Sequence, residues 1–109
     1  MMEKHGLASK TLALITGVLA AFSQVEKAFL FGSRAKGTHK AGSDIDLALV
    51  GANLDWDIIG RISSALDDLP IPHRFSVIML NERTDSEVAA HIRRVAIPLF
   101  ERTPAVSRR

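Results

Sequence analysis

A chain of 109 residues has room for one domain with a modest core, because small proteins bury a smaller share of their surface. With 47% hydrophobic and 24% charged residues it has an ordinary globular composition, which excludes a disordered, collagen-like or coiled-coil chain. A net charge of +2 is too small to mark a nucleic-acid binder, and the lack of cysteine excludes disulfides, thiol catalysis and thiolate zinc sites while suiting a cytoplasmic protein.

Lys4 and Lys10 precede an apolar run, Thr11 to Phe22, that has the look of a secretory leader. The same run sets Leu12, Ile15, Leu19 and Phe22 at helical spacing, and it is shorter than the roughly 20 apolar residues of a membrane span. A core helix from Ser9, as N-cap, to Ser23 is therefore expected. Ala28 to Phe31 reads as a short, fully buried strand closed by Gly32, and residues 33–43, rich in Gly, Ser, Lys and Thr, as a loop with one helical turn. Asp44 to Val50 is a second strand, whose alternation sets Asp44, Asp46, Ala48 and Val50 on one face and Ile45, Leu47 and Leu49 on the other.

A second long helix carries the stripe Ile58, Ile62, Leu66 and Leu69 and stops at Pro70 and Pro72. Phe75 to Leu80 is a third strand. Thr84 and Glu87 have capping-box spacing and open a last helix with Val88, Ile92 and Val95 on its buried side, which Pro98 should kink or end. Residues 103–109 read as a loose tail. The expected molecule is one α/β (α+β) domain over residues 1–109, a small mixed sheet flanked by helices in the order helix, strand, short helix, strand, helix, strand, helix.

Asp44 and Asp46 are the residues that require chemistry. Positions i and i+2 of a strand share a face, so the two carboxylates sit together, and their repulsion raises one pKa unless a cation is supplied. Mg²⁺ suits such a pair, since it takes one or two carboxylates plus waters and substrate phosphates; Mn²⁺ is the alternative. Gly32 lets a phosphate approach the backbone closely, and Ser33 offers a hydroxyl and nearby amides to phosphate oxygens. Arg34 and Lys36 can neutralise further phosphate charge, and Ser43 either holds Asp44 or contacts the nucleotide. Alone, an Asp-x-Asp or a Gly-Ser is ordinarily a turn. Here a hydrophobic strand ends in Phe31-Gly32-Ser33-Arg34, ten residues separate Ser33 from Asp44, and the Asp pair opens another hydrophobic strand. His39 in the loop reads as an exposed histidine, and Trp56 as an anchor for its helix rather than a base-stacking group.

The runs Phe31-Gly32-Ser33-Arg34-Ala35-Lys36-Gly37 and Gly42-Ser43-Asp44-Ile45-Asp46-Leu47 resemble the signature of minimal nucleotidyltransferases (MNT or MntA-like antitoxins) of the DNA polymerase β-like superfamily. The likeness extends through the order of elements over most of the chain. It implies transfer of a nucleoside monophosphate, usually AMP from ATP, to a protein hydroxyl. It also implies a HEPN-domain toxin as partner, modified on a tyrosine. A homo- or hetero-oligomer is a further expectation, and the mild charge and short apolar run point away from nucleic acid and membrane. The superfamily normally places a third carboxylate on the next strand, where this sequence has Ser76 within Phe75-Ser76-Val77-Ile78. Ser is neither an anionic ligand nor a general base at neutral pH. Asp55, Asp57, Asp67, Asp68 and Asp85 are candidate substitutes that the sequence does not place at the site. Two other readings follow: a catalytically impaired nucleotide-binding antitoxin acting by complex formation, and a half-enzyme completed by a separate domain.

Overall fold

A computed structural model of the chain describes residues 7–32, 44–81, 83–84 and 86–102. Seven elements follow in order: α1 (Ser9–Ala21), β1 (Lys27–Phe31), β2 (Ile45–Val50), α2 (Trp56–Asp67), β3 (Phe75–Met79), α3 (Ser86–Val95) and β4 (Ile97–Glu101). The four strands form one mixed sheet in the order β3-β2-β1-β4, with β1 antiparallel to β2 and β4 and with β2 parallel to β3. A small mixed sheet flanked by helices is thus the architecture. The expected helical turn within residues 33–43 and the tail 103–109 lie outside the described residues.

The alternation of β2 is as its sequence dictates. Ile45, Leu47 and Leu49 are buried with Ala28 and Leu30 of β1, and Ile15 and Leu19 of α1 and Ile59, Ile62 and Leu66 of α2 complete this core. The Asp55 carboxylate caps α2, accepting the Ile58 N–H at 2.8 Å. The helix ends at Asp67, ahead of Pro70, since proline supplies no N–H and clashes with the preceding turn.

The opposite face is covered only in part, by α3, whose Ile92 is 2% exposed and shares a cavity of about 440 Å³ with Phe29 of β1 and Val50 of β2. For that reason β1 is not fully buried as expected. Ala28 and Leu30 are inside, while Phe29 and Phe31 on the open face are half-buried.

Several local expectations are corrected. The N-cap of α1 is Ala8 rather than Ser9, with no side-chain cap bond, and the helix stops at Ala21. Val88 is 40% exposed and does not belong to the buried side of α3. The Thr84 hydroxyl accepts the Asn81 N–H at 2.9 Å and donates to the Met79 carbonyl at 3.4 Å, closing the β3–α3 turn ahead of a helix that begins at Ser86. Finally, the chain around Pro98 is a strand. The helix does end before it, at Val95, but Ile97–Glu101 then pairs with β1 at the sheet edge, where a missing N–H on the outer side is tolerated. Pro98 lies opposite Phe29 beside a register shift that leaves Leu99 bulged.

Candidate active site

The ends of three strands build the site. At the close of β1 the backbone turns at Gly32 with φ +75°, in the left-handed region that favours glycine. Asp46, second residue of β2, lies between Phe31 of β1 on one side and Ser76 of β3 on the other. Its carboxylate fills the space in front of Gly32 so closely that a Cβ there would collide with Asp46 Oδ2. The glycine therefore serves an immediate purpose besides the phosphate approach expected of it: it makes room for the carboxylate.

Asp46 is half-buried and Asp44, just before β2, is exposed. Burial raises the Asp46 pKa above its ordinary 3.8, and the negative charge of Asp44 raises it further. The two carboxylates are thus electrostatic neighbours, as positions i and i+2 require. Among the described residues no cation pairs with these two carboxylates, and a divalent cation sharing its shell with phosphate oxygens suits that donor set.

Ser33, Arg34, Lys36 and Ser43, together with His39, lie outside the described residues, so of the sequence-derived site the fold brings together Gly32, Asp44 and Asp46. Ser76 is in register with Asp46 and therefore shares its face of the sheet, and its side chain is exposed. The position beside the Asp pair on β3 is thus held by a hydroxyl. The candidate substitutes are elsewhere: Asp55 caps α2, Asp57 pairs with Arg61 at 3.1 Å, and Asp67 and Asp68 sit at the far end of that helix. Asp85 is outside the described residues, and among those described no group of three or more His, Asp or Glu residues is placed to hold a metal. Trp56 does not anchor its helix, being 68% exposed. The 440 Å³ cavity also lies on the Asp46 face, beginning at Phe29, two residues along β1 from the Asp46 partner Phe31. No sequence signal marked it, because its walls come from β1, β2, the β3–α3 turn and α3 together.

The polymerase β nucleotidyltransferase family model matches residues 14–105. The chain belongs to this family. Among solved structures, a toxin–antitoxin with AMP-PNP is 26% identical with a TM-score of 0.60, over 84% of this chain and 74% of that one. The toxin–antitoxin MntA–HepT is 22% identical with a TM-score of 0.56, over 87% of this chain and 74% of that one. A tri-AMPylated HEPN toxin from Shewanella oneidensis in complex with MNT antitoxin is 23% identical with a TM-score of 0.55, over 85% and 71%. These last two likenesses are likenesses of fold. No curated protein matches the chain. The family assignment fits the strand order around the Asp pair, and no helix among the described residues is long and apolar enough to cross a membrane.

Proposed function

We propose that this nucleotidyltransferase-family chain transfers a nucleoside monophosphate, AMP from ATP, to a hydroxyl of a HEPN-type protein partner, and that residues 1–109 act as one minimal domain for it. The observation that carries this reading is the Asp46 carboxylate, held half-buried against Gly32 with the Asp44 charge beside it. A half-buried carboxylate beside a second carboxylate gains from a bound cation. Asp44 and Asp46 would hold Mg²⁺ or Mn²⁺, which when bound supplies charge neutralisation at the phosphates. Gly32 and Ser33 would receive the β- and γ-phosphates, assisted by Arg34 or Lys36, with Ser43 steadying Asp44. The acceptor oxygen bonds to the α-phosphorus, the bond from that phosphorus to the bridging oxygen breaks, pyrophosphate leaves, and the hydroxyl proton passes to solvent or base. The toxin–antitoxin complexes of like fold support the choice of partner class, and a cytoplasmic setting suits such a pair.

The test is transfer of label from α-labelled ATP to the partner in Mg²⁺. Wild-type protein should label the partner and Asp46→Ala should not; no transfer by wild type with its partner present sinks the proposal.

Ser76 favours a second reading. With a hydroxyl in register beside Asp46, no residue described on β3 can deprotonate the acceptor. The chain would then act as a nucleotide-binding antitoxin through complex formation. Under this reading Asp44→Ala keeps neutralisation of the partner intact, whereas loss of neutralisation with the complex still formed rules it out.

A further inference from the structure

The two edges of the sheet are built differently. On the β4 side, Pro98 interrupts the outer row of donors, the bulge at Leu99 bends the strand, and Glu101 pairs with Lys27 at 3.9 Å. These are the devices by which natural edges avoid pairing with other chains. On the β3 side there is none of them: Phe75-Ser76-Val77-Ile78-Met79 carries no charge and no proline, and its register with β2 is unbroken. The Arg74 carbonyl accepts from the Ile45 N–H and the Leu80 N–H donates to the Leu49 carbonyl, each at 2.8 Å, so the even-numbered residues of β3 face β2. Phe75, Val77 and Met79 consequently turn their N–H and carbonyl groups to the outer edge.

A second, separate observation falls on the same edge. Trp56 and Val88 are the large hydrophobic residues that stand exposed among those described, at 68% and 40%. Both line one groove of about 480 Å³ at the end of β3, with Ile78 and Met79 as further apolar walls and Asp55, Asn81, Arg83 and Thr84 as polar ones. A row of edge backbone groups that otherwise bonds to water can pair with another extended strand, and the apolar part of the groove beside it can take that strand's side chains.

We propose that β3 pairs antiparallel with β3 of a second copy of this chain, about a two-fold axis at Val77, joining two four-stranded sheets into one. The strand is self-complementary in this register. Val77 meets Val77 of the second copy, and Phe75 meets Met79, so the outward groups of each copy bond to those of the other. The Met79 carbonyl already accepts from Thr84 but retains a second lone pair for the Phe75 N–H across the axis. Phe75 of the second copy, packed on its own core and half-exposed, lands beside Met79, and its exposed part adjoins the groove that Trp56 lines. The exposed Arg74 falls opposite Leu80 rather than opposite its own copy. The dimer leaves Asp44 and Asp46 outside the pairing and does not depend on the activity proposed above.

Light scattering on the eluting chain tests this, with Trp56 fluorescence as a second readout, since it is the protein's single tryptophan. The wild type should run at twice the 11.9 kDa of the monomer at about 100 µM, and its emission should shift to the blue as concentration rises. Val77→Pro deletes an outward N–H while leaving every β2–β3 bond, at an edge position that accepts proline. It should weaken the dimer at least about tenfold with an unchanged circular dichroism spectrum. Trp56→Ala, at an exposed position, should weaken it too. A wild type monomeric at that concentration overturns the proposal and leaves the edge to an extended segment of another protein. A folded Val77→Pro that remains as dimeric as wild type overturns it as well.

Discussion

Asp46 and Gly32 were both legible as candidate site residues, but the contact between them was not. The i, i+2 rule places Asp44 and Asp46 on one face without reference to other strands. That Asp46 leans on the end of β1 depends on the antiparallel register, which no spacing within either segment encodes. Replacing Gly32 with Ala should meet two costs together, a Cβ against the carboxylate and a strained positive φ. We expect thermal denaturation to show a loss of about 1–3 kcal/mol, and nucleotide binding to fall because Asp46 must move. The raised pKa of Asp46 makes a second prediction. The folded chain keeps this proton to higher pH than the unfolded chain, whose Asp releases it near the ordinary 3.8. Stability therefore falls as pH rises from that value through the raised one, and the deficit persists at neutral pH. Asp46→Asn should melt at a higher temperature than wild type at pH 7, the difference shrinking toward nothing below pH 3.8. A wild type that melts higher at pH 7 would contradict the assignment. Ser76 was read from sequence as the occupant of the third position, and what the sheet adds is its registry with Asp46.

At the scale of elements, periodic stretches were read well and boundaries less so. The α2 stripe and its proline stop are local signals, and the helix follows them. The fourth strand was hidden because Pro98 is a helix-ending signal, and five residues containing it give no clear alternation. Only the vacancy at the β1 edge makes them a strand. Thr84 has a use its spacing did not announce, since its hydroxyl also closes the turn after β3. Two helix positions remain poor choices for stability. Gly17 in α1 and Gly60 in α2 have open space where a Cβ would go, and glycine inside a helix is entropically unfavourable. Gly17→Ala and Gly60→Ala should each raise stability by about 0.5–1 kcal/mol in urea titrations. A loss at either position would show that its open space is used by another molecule.

The whole molecule is tied by Arg102. Its guanidinium donates to the carbonyls of Val25, Ala20 and Phe22 at 3.0, 3.2 and 3.1 Å, and lies 5.3 Å from the Phe100 ring centroid. The carbonyls left over where α1 ends are thus satisfied by the last described residue, across the β1–β4 pairing. A sequence reading cannot find this tie, because a single arginine beyond a strand looks like any surface charge. Arg102→Ala should lower the melting temperature by an amount equivalent to about 1–3 kcal/mol, more than an exposed ion pair would. The helix signal in circular dichroism should fray before the sheet does. The bond to Val25 spans 77 residues of chain. On a ribosome adding about 5–20 residues per second, some 4–15 seconds pass between the making of the acceptor and of its donor. Once the first helix has emerged from the exit tunnel, it spends the remainder of that interval with its end unsealed. The stretch that looks most like an export leader is therefore also the one that waits longest for its fold, and a nascent chain stalled before residue 102 presents that unsealed end to whatever chaperone or targeting factor reaches it first.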